Sequence, residues 1–122
     1  MATVRYMVSN ATRSLAFYVD QLGFEPDMNM LPAFASVKRG DLHVWLAGPK
    51  TSAAKPMPDG QRPEPGGWNR FVVEVDDVET MVDRLYAAGA HFRNEVISGP
   101  GGKQVLLDDP DGNPIELFER HK

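Results

Sequence analysis

One pattern occurs twice along this chain, and it limits the fold more than any other feature. Each copy must supply the same kind of supersecondary unit. The first copy opens on Thr3-Val4-Arg5-Tyr6-Met7-Val8-Ser9-Asn10 and runs through a helical stretch to Gly23. The second opens on Arg70-Phe71-Val72-Val73-Glu74-Val75-Asp76-Asp77 and runs to Gly89. Both begin with strand-like alternation that ends on a short polar residue suited to cap a helix. Leu15, Tyr18, Val19 and Leu22 then recur at helical spacing, as do Val78, Met81, Val82 and Leu85. Gly23 and Gly89 stand where a helix closes in the left-handed conformation, which glycine adopts at little cost.

Three further strands are predicted after each helix. In copy one they are residues 25–30, 33–37 and 42–46, with the last hairpin turning at Arg39-Gly40. In copy two they are residues 91–96, 103–107 and 114–118, turning at Asp109-Pro110-Asp111-Gly112-Asn113, a run with turn chemistry. The expected fold class is α+β: two βαβββ repeats forming a curved, cup-shaped mixed sheet with the helices on its convex face. Residues 48–67 between the copies are rich in proline and glycine and lack periodicity. They read as a solvated linker or as a flap over a pocket, being longer than a typical connection.

Alternation separates two faces in each copy. Val4, Tyr6 and Val8 oppose Thr3, Arg5 and Met7, while Phe71, Val73 and Val75 oppose Arg70, Val72 and Glu74. Leu42, Val44 and Leu46 alternate with His43 and Trp45; Ile115 and Leu117 alternate with Pro114, Glu116 and Phe118. With the helices covering the apolar sets, the concave face carries Arg5, Met7, His43, Trp45, Arg70, Val72, Glu74, Glu116 and Phe118. Aromatics mixed with a few polar groups on a concave surface describe a ligand site.

Composition excludes several classes. A formal net charge of −4 and scattered basic residues give no electrostatic footprint for nucleic acid or anionic membrane. With no cysteine there is no disulfide, no thiolate nucleophile and no cysteine-based zinc site. No signal-peptide pattern and no apolar run of membrane-spanning length are present, so a cytoplasmic location is expected.

Three stretches stand out: Ser14-Leu15-Ala16-Phe17-Tyr18 with Leu22-Gly23-Phe24; Val73-Glu74-Val75-Asp76-Asp77-Val78; and Leu107-Asp108-Asp109-Pro110-Asp111-Gly112-Asn113-Pro114-Ile115-Glu116-Leu117-Phe118. Together they resemble the vicinal oxygen chelate superfamily, the glyoxalase/bleomycin-resistance/dioxygenase group. The resemblance implies a single domain over 1–122, with repeat one at about 1–48, the connection at about 49–67 and repeat two at about 68–120. It also implies a homodimer in which clefts form between chains. Enzymes of that superfamily hold a divalent metal at four pseudo-symmetric positions, one from the first and one from the last strand of each copy. Aligned on these motifs, the positions are Thr3, His43, Arg70 and Glu116, with His43 matched to Glu116 across hairpins of unequal length.

Of these four, only His43 and Glu116 are metal donors. Thr3 is a poor ligand, and the Arg70 guanidinium stays protonated and repels a cation. The expectation is therefore no cofactor and no metal site, with Arg70 paired to Glu116 where a metal would otherwise sit. The resulting reading is a metal-free small-molecule-binding protein that sequesters a ligand at a dimer interface. Its ligand-binding set is Arg5, Met7, His43, Trp45, Trp68, Arg70, Val72, Glu74, Glu116 and Phe118. The acidic net charge suits a cationic or amphipathic ligand. The alternative is a lyase, isomerase or dioxygenase with His43 and Glu116 as catalytic residues, either around a divalent metal or as a metal-independent acid/base pair. Trp68 stacks on a flat ligand or pins the loop. Met28, Met30 and Met57 read as core filling or as adaptable pocket lining.

Overall fold

The computed structural model describes residues 1–121 and divides into two compact units, Met1–Pro65 and Gly66 onward. In the first, β1 (Ala2–Met7) leads through Asn10 into α1 (Ala11–Ala16), which continues as a π-helical turn, Phe17–Gln21. β2 (Glu25–Met30), β3 (Phe34–Arg39) and β4 (Leu42–Ala47) follow, and the sheet order is β1-β4-β3-β2. β1 and β4 run parallel and the other neighbours antiparallel.

The second unit repeats this plan. β5 (Phe71–Glu74) leads through Asp77 into α2 (Val78–Ala87). β6 (His91–Phe92), β7 (Ile97–Ser98), β8 (Gly102–Asp108) and β9 (Pro114–Arg120) complete a sheet ordered β5-β9-β8-β6, with β7 also on β8. β5 and β9 are parallel, like β1 and β4. Both helices are capped as the sequence predicts. The side chain of Asn10 accepts from the Arg13 N–H, and that of Asp77 from the Thr80 N–H. Gly23 and Gly89 close the helices at φ of 75° and 92°.

Each unit buries the face the alternation predicts. Val44 and Leu46 are fully buried, with Tyr6 and Val8 beside them and α1 lying against β3 and β4. Ile115, Leu117, Val73 and Phe71 play the same part in the second sheet, where α2 lies against β8 and β9. Burying such aliphatic side chains contributes roughly 1.5–3 kcal/mol apiece, the main driving force for either unit.

Three local expectations differ from the structure. The predicted strand 91–96 is cut short to β6, with β7 lying just beyond its end, because the Asn94 side-chain oxygen takes the Leu106 N–H at 2.9 Å in place of a backbone partner. The first helix leaves α geometry at Phe17, and its wider turn puts Tyr18 edge-on to Phe24 with ring centroids 5.6 Å apart. Met28, Met30 and Met57 are exposed, which overturns their reading as core filling. β2 is an edge strand with no buried residue, so its methionines have no core to reach.

Candidate functional site

The face of the first sheet opposite α1 is a lattice whose rows follow from strand pairing. Thr3 lies beside His43, and His43 beside Lys38. Arg5, Trp45 and Ser36 form the next row, and Met7, Ala47 and Phe34 the third. The Arg5 guanidinium lies over the Trp45 ring at 4.9 Å, and Phe34 meets the same indole edge-on at 6.0 Å. His43 Nδ1 lies 3.4 Å from Asp27 Oδ2, a carboxylate delivered by β2. Among the described residues neither Arg5 nor Arg62 has a carboxylate within ion-pair distance. Residues 49–65 return over the end of β1. Pro49, Ala54, Arg62, Pro63 and Pro65 enclose a cavity of about 230 Å³ with Met7, Val8 and Ser9.

The corresponding face of the second sheet is built from ion pairs. Arg70 Nε and Nη2 donate to Glu116 Oε1 at 3.1 and 2.8 Å, and Arg70 Nη1 donates to the Trp68 carbonyl at 3.3 Å. Glu116 is only 8% exposed, so the guanidinium compensates a carboxylate that would otherwise be buried alone. Val72, paired with Glu116 in the register, is exposed at 48%. Glu74 pairs with Arg120, whose guanidinium also lies over Phe118 at 5.7 Å. Arg93 binds Asp108 at 2.6 Å and the carbonyls of Gly67 and Gly112, and its guanidinium lies over Trp68 at 4.7 Å. Trp68 is thus fixed on one face by Arg93 yet remains 69% exposed.

Register corrects the matching of the repeats. The Val8 N–H binds the Ala47 carbonyl and the Val75 N–H binds the Phe118 carbonyl, so Ala47 and Phe118 are equivalent. Two residues back along each strand, Trp45 is the counterpart of Glu116, and His43 is the counterpart of Pro114. Counting from the same bonds, Thr3 does match Arg70. The four pseudo-symmetric positions are therefore Thr3, Trp45, Arg70 and Glu116. An indole, a hydroxyl and a guanidinium hydrogen-bonded to the remaining carboxylate do not fit a divalent cation, which needs three or more oxygen, nitrogen or thiolate donors. Among the described residues no three His, Asp or Glu side chains converge as a metal site elsewhere.

The sequence model of the glyoxalase/bleomycin resistance protein/dioxygenase superfamily matches residues 1–117. The chain belongs to this superfamily. A probable chloroplastic lactoylglutathione lyase from Arabidopsis thaliana is 29% identical to it over 98% of the chain and 35% of the relative. The chain therefore spans about a third of that relative's length. A superfamily member from Sphaerobacter thermophilus aligns with a TM-score of 0.78 and 28% identity, covering 98% of this chain and 96% of that one. An antibiotic-binding protein, TnmS3 from Streptomyces sp. CB03234, aligns with a TM-score of 0.71 and 25% identity, covering 98% and 93%. Lyase and binding protein thus both occur among relatives of this superfamily member.

Sequence reasoning grouped Arg70 with Glu116 and Arg5 with Trp45, because strand alternation reports faces directly. It missed Asp27, Phe34, Arg62, Arg93 and Asp108. Asp27 lies where the β2–β3 register shifts between Pro26 and Asn29, so alternation carries no signal there. Arg93 acts from a broken strand, and Arg62 from a connection without periodicity.

Proposed function

We propose that this superfamily member is a metal-free small-molecule-binding protein that sequesters its ligand without altering it, in a cleft between two copies of the chain. The observation that carries this reading is the Arg70–Glu116 pair. It fills one metal-ligand position with a fixed cation and occupies the only carboxylate at the other three. Under this reading the chain is one domain acting in the cytoplasm. Arg5, Met7, His43 and Trp45 contribute ligand contacts from the first sheet. Trp68, Arg70, Val72, Glu74, Glu116 and Phe118 contribute them from the second. No helix among the described residues is long and apolar enough to cross a membrane.

Native mass spectrometry on protein grown with nickel, zinc, manganese and iron, and purified without chelator, tests the proposal. A metal-free dimer, with or without an organic adduct, supports it. A stoichiometric divalent metal per chain overturns it and puts a metalloenzyme first.

One observation favours a second reading. The Asp27 carboxylate beside His43 Nδ1 can orient the imidazole for proton transfer, so a metal-independent acid/base catalyst is the alternative. Under it, Asp27→Asn and His43→Gln each abolish turnover while leaving ligand affinity within a fewfold of wild type.

A further inference from the structure

The first unit is close to neutral, with seven lysines and arginines against six aspartates and glutamates in an acidic chain. Arg5 and Arg62 are guanidiniums without carboxylate partners among the described residues; Arg5 lies over Trp45, and Arg62 lines the cavity at the end of β1. Arg5 and Met7 are alternate residues on the same face of β1, and Met7 lines the cavity that Arg62 closes from the connection. Pro49, Pro63 and Pro65 make the remaining wall apolar and conformationally stiff. At about 230 Å³ the cavity lies below the range of drug-sized clefts, so it admits the end of a compact ligand.

The geometry points to a planar aromatic anion, such as an aromatic carboxylate, as the ligand class of this surface. The inference rests on the sequestration reading above and refines it. An arginine held 4.9 Å from an indole centroid, with no carboxylate partner, keeps its N–H fork for a further partner. A carboxylate matches that fork in two parallel hydrogen bonds, and an aromatic ring extends the stack. Trp45, held edge-on by Phe34, is the fixed floor of that stack. Arg62 supplies a second cation at the rim of the cavity, exposed to solvent and within reach of an anion that enters it. A cationic ligand would meet two unneutralised guanidiniums instead, so the sign of the local field excludes the ligand class that net charge alone suggests.

The test uses the full chain with chelator present and three probes of one shape. They are 2-naphthoate, 2-naphthylmethylammonium and the saturated decahydronaphthalene-2-carboxylate, titrated by calorimetry and by NMR of the Trp45 indole N–H. The expected result is saturable binding of naphthoate at least tenfold tighter than either comparator. Arg5→Gln and Arg62→Gln should each weaken it fivefold or more. Lys55→Gln, which removes a charge from the same connection without touching the cavity, should change it less than twofold. Ammonium binding equal to or tighter than naphthoate binding overturns the ligand class, as does indifference to both arginine substitutions. Because chelator is present throughout, this result is independent of the metal content measured by mass spectrometry, and either proposal can fail alone.

Discussion

Arg70 and Glu116 are 46 residues apart in sequence, and both hydrogen bonds between them end on a single carboxylate oxygen, Oε1. This is a side-on pairing rather than a fork engaging both oxygens, so the second oxygen receives no hydrogen bond from the arginine. The arginine side chain is a third exposed and the glutamate nearly buried. The pair therefore serves chiefly to compensate a carboxylate that the sheet has taken out of water.

That asymmetry predicts unequal substitutions. Arg70→Met strands the carboxylate and should cost roughly 1–3 kcal/mol in urea unfolding. Adding Glu116→Gln to Arg70→Met should recover part of the loss, because no buried charge is then left alone. Additive losses in the double variant would show that the two residues do not interact in solution.

Metal ions should be indifferent to the native protein. Stoichiometric nickel, zinc or manganese is expected to leave the thermal midpoint unchanged, and chelator to leave it where it was, since binding to the folded state alone would raise it. A midpoint that climbs with one ion and falls with chelator would contradict the donor chemistry at Thr3, Trp45, Arg70 and Glu116.

Acid should act through a helix cap. The Thr80 N–H bound to the Asp77 carboxylate holds that group below its ordinary value of 3.8. A lowered folded-state value means that the contribution is complete above 3.8 and is lost as pH falls through the folded value. Asp77→Ala should therefore be less stable than wild type at neutral pH, with the gap narrowing in strong acid. Asp77→Asn, which keeps the acceptor, should stay close to wild type at neutral pH. At the alkaline end the sign reverses for Lys103, raised above 10.5 chiefly by its hydrogen bond to Glu79. Its contribution is complete below 10.5 and disappears as pH rises through the higher folded value. A gap between wild type and Asp77→Ala that does not change with pH would refute the cap argument.

Gly102 begins β8 with a hydrogen placed where any Cβ would overlap the Glu119 carbonyl oxygen on β9. Gly102→Ala should cost roughly 3 kcal/mol, at the upper end of overpacking effects, because the obstacle is backbone and cannot swing aside. Gly112→Ala offers a comparison: nothing lies within 4 Å of a Cβ there, so the penalty is only that of its φ of 84°. Gly102 also has a positive φ, 156°, so a denaturant midpoint for Gly102→Ala well below that of Gly112→Ala shows that contact adds to the backbone penalty.

The repeat, the caps and the helix-facing residues were legible because they are properties of short windows. Asn10 and Asp77 announce their helices within three residues, and Val44 and Ile115 announce their faces through period-two alternation. The pairing of His43 with Glu116 failed for a different reason. Hairpins of unequal length do not reveal which residues are equivalent, whereas the bonds from Val8 and Val75 do. The Asp27–His43 approach was not legible at all, since a register shift in β2 decides it. Arg5 over Trp45 was half legible: alternation placed both on one face, and only the parallel pairing of β1 with β4 made them neighbours.

The Glu119 side chain accepts the N–H of Val78, the first residue of α2, at 2.9 Å. Helix beginnings normally satisfy such groups from residues close by, but here the acceptor comes from 41 positions downstream. The first turn of α2 is thus completed only when β9 lies against it, and amide exchange at Val78 reports whether that strand is docked.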